Sequence, residues 1–188
     1  MKINSISLIS LLSTLACVSV ANADVMADFY LGGTAGAGAQ TIFTDSKSKT
    51  DSAGTFGAIA GLDMPIFRFE AEYNYFTSAD LDTNAGLINF YAKMPSTVIM
   101  PYIGAGIGMV FGGDATASVG GVKKDYSIKT SAAYQAMLGA TIDVGTLPIK
   151  IDIEGRVLYA PNVYDIDATD IKPDMLQYNL RAKVRYIF

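Results

Sequence analysis

Hydrophobic and polar positions alternate with a period of two along most of the chain, the signature of β-strands. The clearest stretch runs from Phe67 to Tyr75. Phe67, Phe69, Ala71, Tyr73 and Tyr75 fall on one face, and Arg68, Glu70, Glu72 and Asn74 on the other. Ile149 to Tyr159 repeats the arrangement: Ile149, Ile151, Ile153, Gly155, Val157 and Tyr159 oppose Lys150, Asp152, Glu154 and Arg156. The final segment sets Tyr178, Leu180, Ala182, Val184, Tyr186 and Phe188 against Asn179, Arg181, Lys183 and Arg185. After Ala23, no stretch of useful length carries the apolar stripe of an amphipathic helix.

The pattern predicts eight strands, over 28–40, 54–63, 66–76, 85–93, 100–111, 130–143, 148–159 and 174–188. The connections after the second, fourth and sixth are short. Those at 41–53, 77–84, 112–129 and 160–173 are longer and polar. An even number of strands, with short turns at one end and long loops at the other, predicts an all-β fold: an eight-stranded antiparallel up-and-down barrel. Strand follows strand to Phe188, so no second domain fits.

Alternation alone does not say which face points outward. A soluble barrel keeps its apolar side chains inside, whereas a membrane barrel has an apolar outer band and a polar interior. Three features favour the membrane form. Aromatics stand toward both ends of the apolar faces, as two interfacial girdles require. The ten steps from Tyr178 to Phe188 cover about 33 Å, or about 25 Å when tilted by about 40°, close to the height of an apolar band. The polar faces carry both signs of charge: Arg68, Lys93, Lys150, Arg156, Arg181, Lys183 and Arg185 can face Glu70, Glu72, Asp152 and Glu154. A buried salt-bridge network that fills a narrow lumen is the expected role of these residues.

The first residues read differently. Lys2 precedes an apolar, Ser-rich run that ends in Ala21-Asn22-Ala23. A charged start, a short apolar core and small residues at Ala21 and Ala23 predict a signal peptide over 1–23, cleaved to leave a barrel domain over 24–188. A membrane anchor, or a lipoprotein acylated at Cys17, are the other readings of this segment. Cys17 is the single cysteine, so the cleaved chain would form no disulfide.

Composition narrows the chemistry. The chain has no histidine and no tryptophan. Ser–His triads, Cys–His dyads and His-ligated zinc are therefore excluded. A net charge of −4 at pH 7 argues against nucleic acid as a partner. The glycine-rich runs at 32–38 and 104–108 do not complete a dinucleotide-binding motif. Asp165, Asp167 and Asp170 place three carboxylates in one loop. They lack the Gly and final Glu of a helix–loop–helix calcium site, and a solvated acidic loop is expected. No cofactor and no metal are expected, nor any catalytic or cofactor-binding residue.

Three local patterns join the alternation: Phe29-Tyr30-Leu31-Gly32-Gly33, then Pro101-Tyr102-Ile103-Gly104-Ala105-Gly106-Ile107-Gly108, and Arg185-Tyr186-Ile187-Phe188. Together they resemble the small eight-stranded outer-membrane β-barrel superfamily, which includes OmpX-like, OmpA-barrel and opacity-protein-like surface antigens. The resemblance covers 24–188. It implies an integral outer-membrane protein of a Gram-negative bacterium, porin-family-like or a surface antigen, with both termini on the periplasmic side and four loops at the cell surface. Outer-membrane lipid and lipopolysaccharide would be its surroundings. Tyr186 and Phe188 resemble the C-terminal signal read by the barrel-assembly machinery. The implied role is structural, adhesive or host-contacting, with a host or surface ligand at the loops. The enzymatic barrels of related families resemble one another in using a catalytic histidine, so this chain is expected not to be an enzyme. Two alternatives remain open: a narrow OmpW-like channel for small or hydrophobic solutes, and a soluble periplasmic lipocalin-like carrier, whose usual Trp signature this chain cannot supply.

Overall fold

The computed structural model describes residues 27–44, 47–78, 82–96, 98–112, 114–119, 122–127, 130–163 and 174–188. Among the described residues ten strands occur in chain order: β1 (Asp28–Thr44), β2 (Lys47–Asp63), β3 (Phe67–Ser78), β4 (Asp82–Lys93), β5 (Ile99–Phe111), β6 (Asp114–Val119), β7 (Val122–Ser127), β8 (Ser131–Asp143), β9 (Ile149–Ala160) and β10 (Asp174–Ile187). Eight of them close a barrel in the order β1-β10-β9-β8-β5-β4-β3-β2, with every neighbouring pair antiparallel. β1 closes it against β10 through a register from Tyr30↔Ile187 to Phe43↔Asp174.

The stagger of the barrel follows from that register. From Thr34, paired residues lead through Gly57, Asn74, Ala85 and Val110 to Ser131 on β8. The other way round, they lead through Lys183 and Asp152 to Thr141 on the same strand. Those endpoints are ten residues apart, an offset that tilts the strands by about 40°.

Strand geometry and side-chain chemistry then fix two surfaces. In β3 the burial alternates strictly, with Arg68, Glu70, Glu72 and Asn74 inside and Phe67, Phe69, Tyr73 and Tyr75 outside. β8, β9 and β10 behave alike over most of their length. The outside is apolar: Ile88, Ile103, Ile107, Leu138 and Leu180 are each more than 60% exposed. Tyr75, Tyr134, Tyr159 and Tyr178 stand on the outer surface toward the long-loop end, and Phe29, Phe67, Tyr186 and Phe188 toward the short-turn end. Tyr178 and Tyr186 are eight residues apart on β10, about 26 Å along the strand and about 20 Å along the barrel axis. Between these girdles no charged side chain faces outward among the described residues. Charge inside and hydrocarbon outside invert the plan of a water-soluble barrel, and an apolar band of this extent requires lipid around it.

Two predicted loops prove to be built differently. Most of 41–53 is strand, because β1 and β2 run on to the pair Thr44↔Lys47. Beyond the lipid, backbone pairing needs no alternation of side chains, and the polar pair Thr41 and Thr50 share a 3.0 Å hydroxyl hydrogen bond there. The predicted loop 112–129 contains the β6–β7 hairpin, which pairs from Asp114↔Ser127 to Val119↔Val122. Eight strands therefore make the wall, and two more rise from it as a separate sheet. Ala21, Ala23, Cys17 and the acidic residues Asp165, Asp167 and Asp170 lie outside the described residues.

Candidate functional site

An eight-stranded barrel is just wide enough for its own side chains to fill. The inward positions of this one fill it in tiers. At the short-turn end Asp63 gathers three cations: it is ion-paired with Lys93, and it accepts bonds of 3.1 Å from both Lys150 Nζ and Arg185 Nη1. Arg185 also grips Asp152 with two parallel 2.9 Å bonds from Nε and Nη2, the fork geometry that makes arginine–carboxylate pairs strong. Arg68 Nη1 reaches the same carboxylate at 3.0 Å, and Thr141 donates to it at 2.6 Å. The Arg68 guanidinium lies 3.9 Å from the Tyr91 ring centroid and 4.7 Å from that of Tyr102, so two aromatic faces cover a buried cation.

Further in, Lys183 Nζ lies 2.8 Å from Glu70 and 3.2 Å from Glu154. Tyr30 and Tyr91 each donate to Glu70 at 2.8 Å, and Tyr102 donates to Glu154 at 2.9 Å. One tier higher, Arg181 bridges Glu72 and Glu154, the latter through a 2.6 Å bond from Nε. Asn89 donates to Glu72 at 2.5 Å, and Gln135 donates to Asn89 at 2.6 Å. Arg156 completes this level with bonds of 3.0 and 2.6 Å to Asn179 Oδ1 and an ion pair at 3.4 Å with Glu72.

The structure thus brings together all nine charges singled out from the sequence: Arg68, Glu70, Glu72, Asp152, Glu154, Arg156, Arg181, Lys183 and Arg185. Each is at most 4% exposed. Pairs form both between sequence neighbours in the wall and across the lumen. Glu154 on β9 meets Arg181 on the adjacent β10, whereas Glu70 and Glu72 on β3 reach over to β10. With Asp63, Lys93 and Lys150 added, seven cations face five carboxylates.

Above the charges the lining changes character. Phe76, Leu87, Val110, Leu158 and Met175 turn inward at the long-loop end, each no more than 3% exposed, and pack into one apolar cluster. Arg156 marks the boundary, its guanidinium 4.9 Å from the Phe76 ring centroid. The lumen is therefore stopped twice, first by ion pairs and then by hydrocarbon.

Sequence reasoning missed this cap, and also Asp63, Tyr30, Tyr91 and Tyr102. Asp63 borders Met64-Pro65 and reads as a turn residue. Tyr91 shares its parity with Asn89 and Lys93, which was the available signal, but an inward tyrosine and a girdle tyrosine have the same side chain.

No protein-family model matches the chain, and no curated protein matches it in sequence. Its backbone is nevertheless similar to solved structures. The crystal structure of Neisserial surface protein A (NspA) superposes with a TM-score of 0.61 at 19% identity, covering 85% of this chain and 97% of that one. The outer membrane enzyme PagL gives 0.50 at 16% identity, covering 81% of this chain and 97% of the other. The fold is that of the small outer-membrane β-barrels. At these identities the likeness concerns the fold. That fold occurs both in a surface protein and in an enzyme, so the chemistry has to be argued from the side chains of this barrel. Here Glu70, Glu72, Asp152 and Glu154 are each held by at least one buried cation, which leaves none poised as a free acid or base.

Proposed function

We propose that the protein is a closed barrel resident in the bacterial outer membrane, a non-enzymatic scaffold that displays its long loops for adhesion or surface contact. The observation that carries this reading is the doubly stopped lumen. A barrel filled by ion pairs from Asp63 to Arg156 and capped by Phe76 and Leu158 offers no path to a solute. The sealed wall likewise disfavours the narrow-channel alternative, since hydrogen-bonded pairing runs unbroken round all eight strands. What is left to vary is the long-loop end, where the β6–β7 hairpin extends a rigid wall; loops on rigid scaffolds are where binding commonly resides. The similarity of the fold to NspA, a surface protein, agrees with this role.

In this reading residues 1–23 are removed after export, residues 24–188 form the inserted barrel, and Tyr186 and Phe188 present the last strand to the assembly machinery. Lipopolysaccharide surrounds the outer half of the wall. Sucrose-gradient fractionation should recover the protein with outer membranes, and an unheated sample should migrate differently from a boiled one. In planar bilayers the folded protein should show no steady channel conductance. Recovery from the soluble periplasm would sink the membrane reading, and stable single-channel steps would sink the closed scaffold.

A further inference from the structure

The outer surface is not uniformly filled. Toward the long-loop half of the wall, a furrow of about 890 Å³ crosses β8, β9, β10 and β1. The register shows how it arises. One rung of outward side chains reads Leu138–Gly155–Leu180–Ala37, and the next reads Ala136–Val157–Tyr178–Ala39. Between them, Met137, Arg156, Asn179 and Gly38 pair in a rung whose side-chain positions turn inward, so only their backbone floors the gap. Half of these outward positions, Ala37, Ala39, Ala136 and Gly155, are Gly or Ala. On the other four strands of the wall, Ile88, Ile107 and Phe56 stand proud of the backbone.

We propose that this furrow is a seat for one acyl chain of lipopolysaccharide. Its place on the wall identifies the occupant. The furrow is continuous with the lipid-facing band, its walls are apolar, and Tyr178 closes it on the girdle side. Spanning four strands, it is about 14 Å across, enough for much of an extended hydrocarbon chain. It lies in the half of the wall nearer the long loops, which face the glycolipid leaflet in the orientation proposed above, and the inference rests on that orientation. A chain held between the Leu138–Leu180 rung and the Val157–Tyr178 rung gains dispersion contacts that a smooth wall does not offer. The small residues are thus a binding feature of the wall.

The site can be filled without disturbing the barrel. A Cβ at Gly155 would meet only the Leu138 carbonyl oxygen, at an ordinary 3.8 Å, and Ala37 is exposed on the outer face. The test uses the barrel of residues 24–188 refolded in detergent micelles, probed with purified lipid A or with phosphatidylethanolamine and read by native mass spectrometry. Wild type is expected to retain one lipid A. Gly155→Leu and Ala37→Leu are expected to weaken retention roughly ten-fold. Ala71→Leu, outward on β3 across the barrel from the furrow, is expected to bind as wild type. All variants must show the heat-dependent gel shift of the folded barrel. Equal retention by wild type and Gly155→Leu, or preferential retention of phosphatidylethanolamine, would overturn the proposal. Because the assay is done in micelles, it does not depend on where the protein resides in the cell, and fractionation tests that separately.

Discussion

Arg181 on β10 and Glu72 on β3 form an ion pair across the lumen, joining positions 109 apart in sequence. A second bond of 3.2 Å from Nη2 makes the pairing two-pronged, and neither side chain is reached by solvent. Removing one partner leaves the other buried with only its second contact, Glu72 with Arg156 or Arg181 with Glu154, and breaking a buried pair costs up to about 3–5 kcal/mol. Arg181→Ala and Glu72→Gln should each destabilise the barrel by up to about that amount, and the double variant by less than the sum, because both singles break the same pair. Urea unfolding in lipid vesicles measures all three.

Ala182 follows Arg181 and faces the other way, toward lipid. Ala182→Leu should leave stability almost unchanged, since no packed core resists the added methylenes. Ala182→Arg should cost about 2–4 kcal/mol by placing a charge near the middle of the apolar band. In a water-soluble barrel the order would be reversed: Ala182→Leu would overfill a core, and Arg181→Ala would be a mild surface change. The same unfolding assay therefore tests which face is which.

The parity of the strands was legible because lipid and lumen impose opposite chemistry on neighbouring residues. Arg68, Glu70 and Glu72 could be placed on one side of β3 without knowing what they touch. The partners were not legible. Parity fixes the face, but the ten-residue stagger decides which tier each side chain enters, so the pairing of Glu72 with Arg181 and of Glu70 with Lys183 needed the closed wall. The hydrocarbon cap was hidden for a related reason. Leu158 and Ala160 continue the inward parity of Asp152, Glu154 and Arg156, but apolar residues on a polar face resemble a fading pattern at a strand end. The β6–β7 hairpin forms a sheet separate from the wall, and its sequence shows no alternation that marks a strand.

The hydrocarbon cap should carry stability in its own right. Phe76→Ala and Leu158→Ala remove fully buried side chains from a cluster closed on all sides, and core truncations of this kind cost about 2–5 kcal/mol. Both variants should unfold at lower urea concentration than wild type. A wild-type midpoint for either would mean that this end of the lumen is loosely packed.

Gly36 tests how tightly β1 must approach β10. A Cβ there would lie 2.5 Å from Arg181 Cβ and 2.6 Å from the Leu180 carbonyl oxygen, and backbone in a closed sheet cannot yield. Gly36→Val should prevent the barrel from closing and abolish the heat-dependent gel shift. Gly33→Ala, on the outer face, would place its Cβ an ordinary 3.7 Å from the Gly57 carbonyl oxygen and should fold normally.

Phe188 joins the two strands that close the barrel. Its backbone N–H donates to the Phe29 carbonyl at 2.9 Å, and its ring lies 5.6 Å from that of Phe29 and 5.0 Å from that of Tyr186. The aromatic contacts are made on the lipid-facing side, at the short-turn girdle, where rings are anchored at the interface. Losing two such ring contacts removes about 1–3 kcal/mol, a modest loss for a closed wall of eight paired strands. An assembly role for the ring predicts a larger effect in cells than in vitro. Phe188→Ala should refold in detergent to nearly the wild-type yield, with only a small drop in urea midpoint. In cells the same variant should reach the outer membrane at clearly reduced levels while being exported normally. Pulse-labelled fractionation separates export from insertion. Wild-type insertion of Phe188→Ala would leave the ring with a packing role alone, and a refolding defect as large as the cellular one would trace the loss to stability rather than to recognition of the strand.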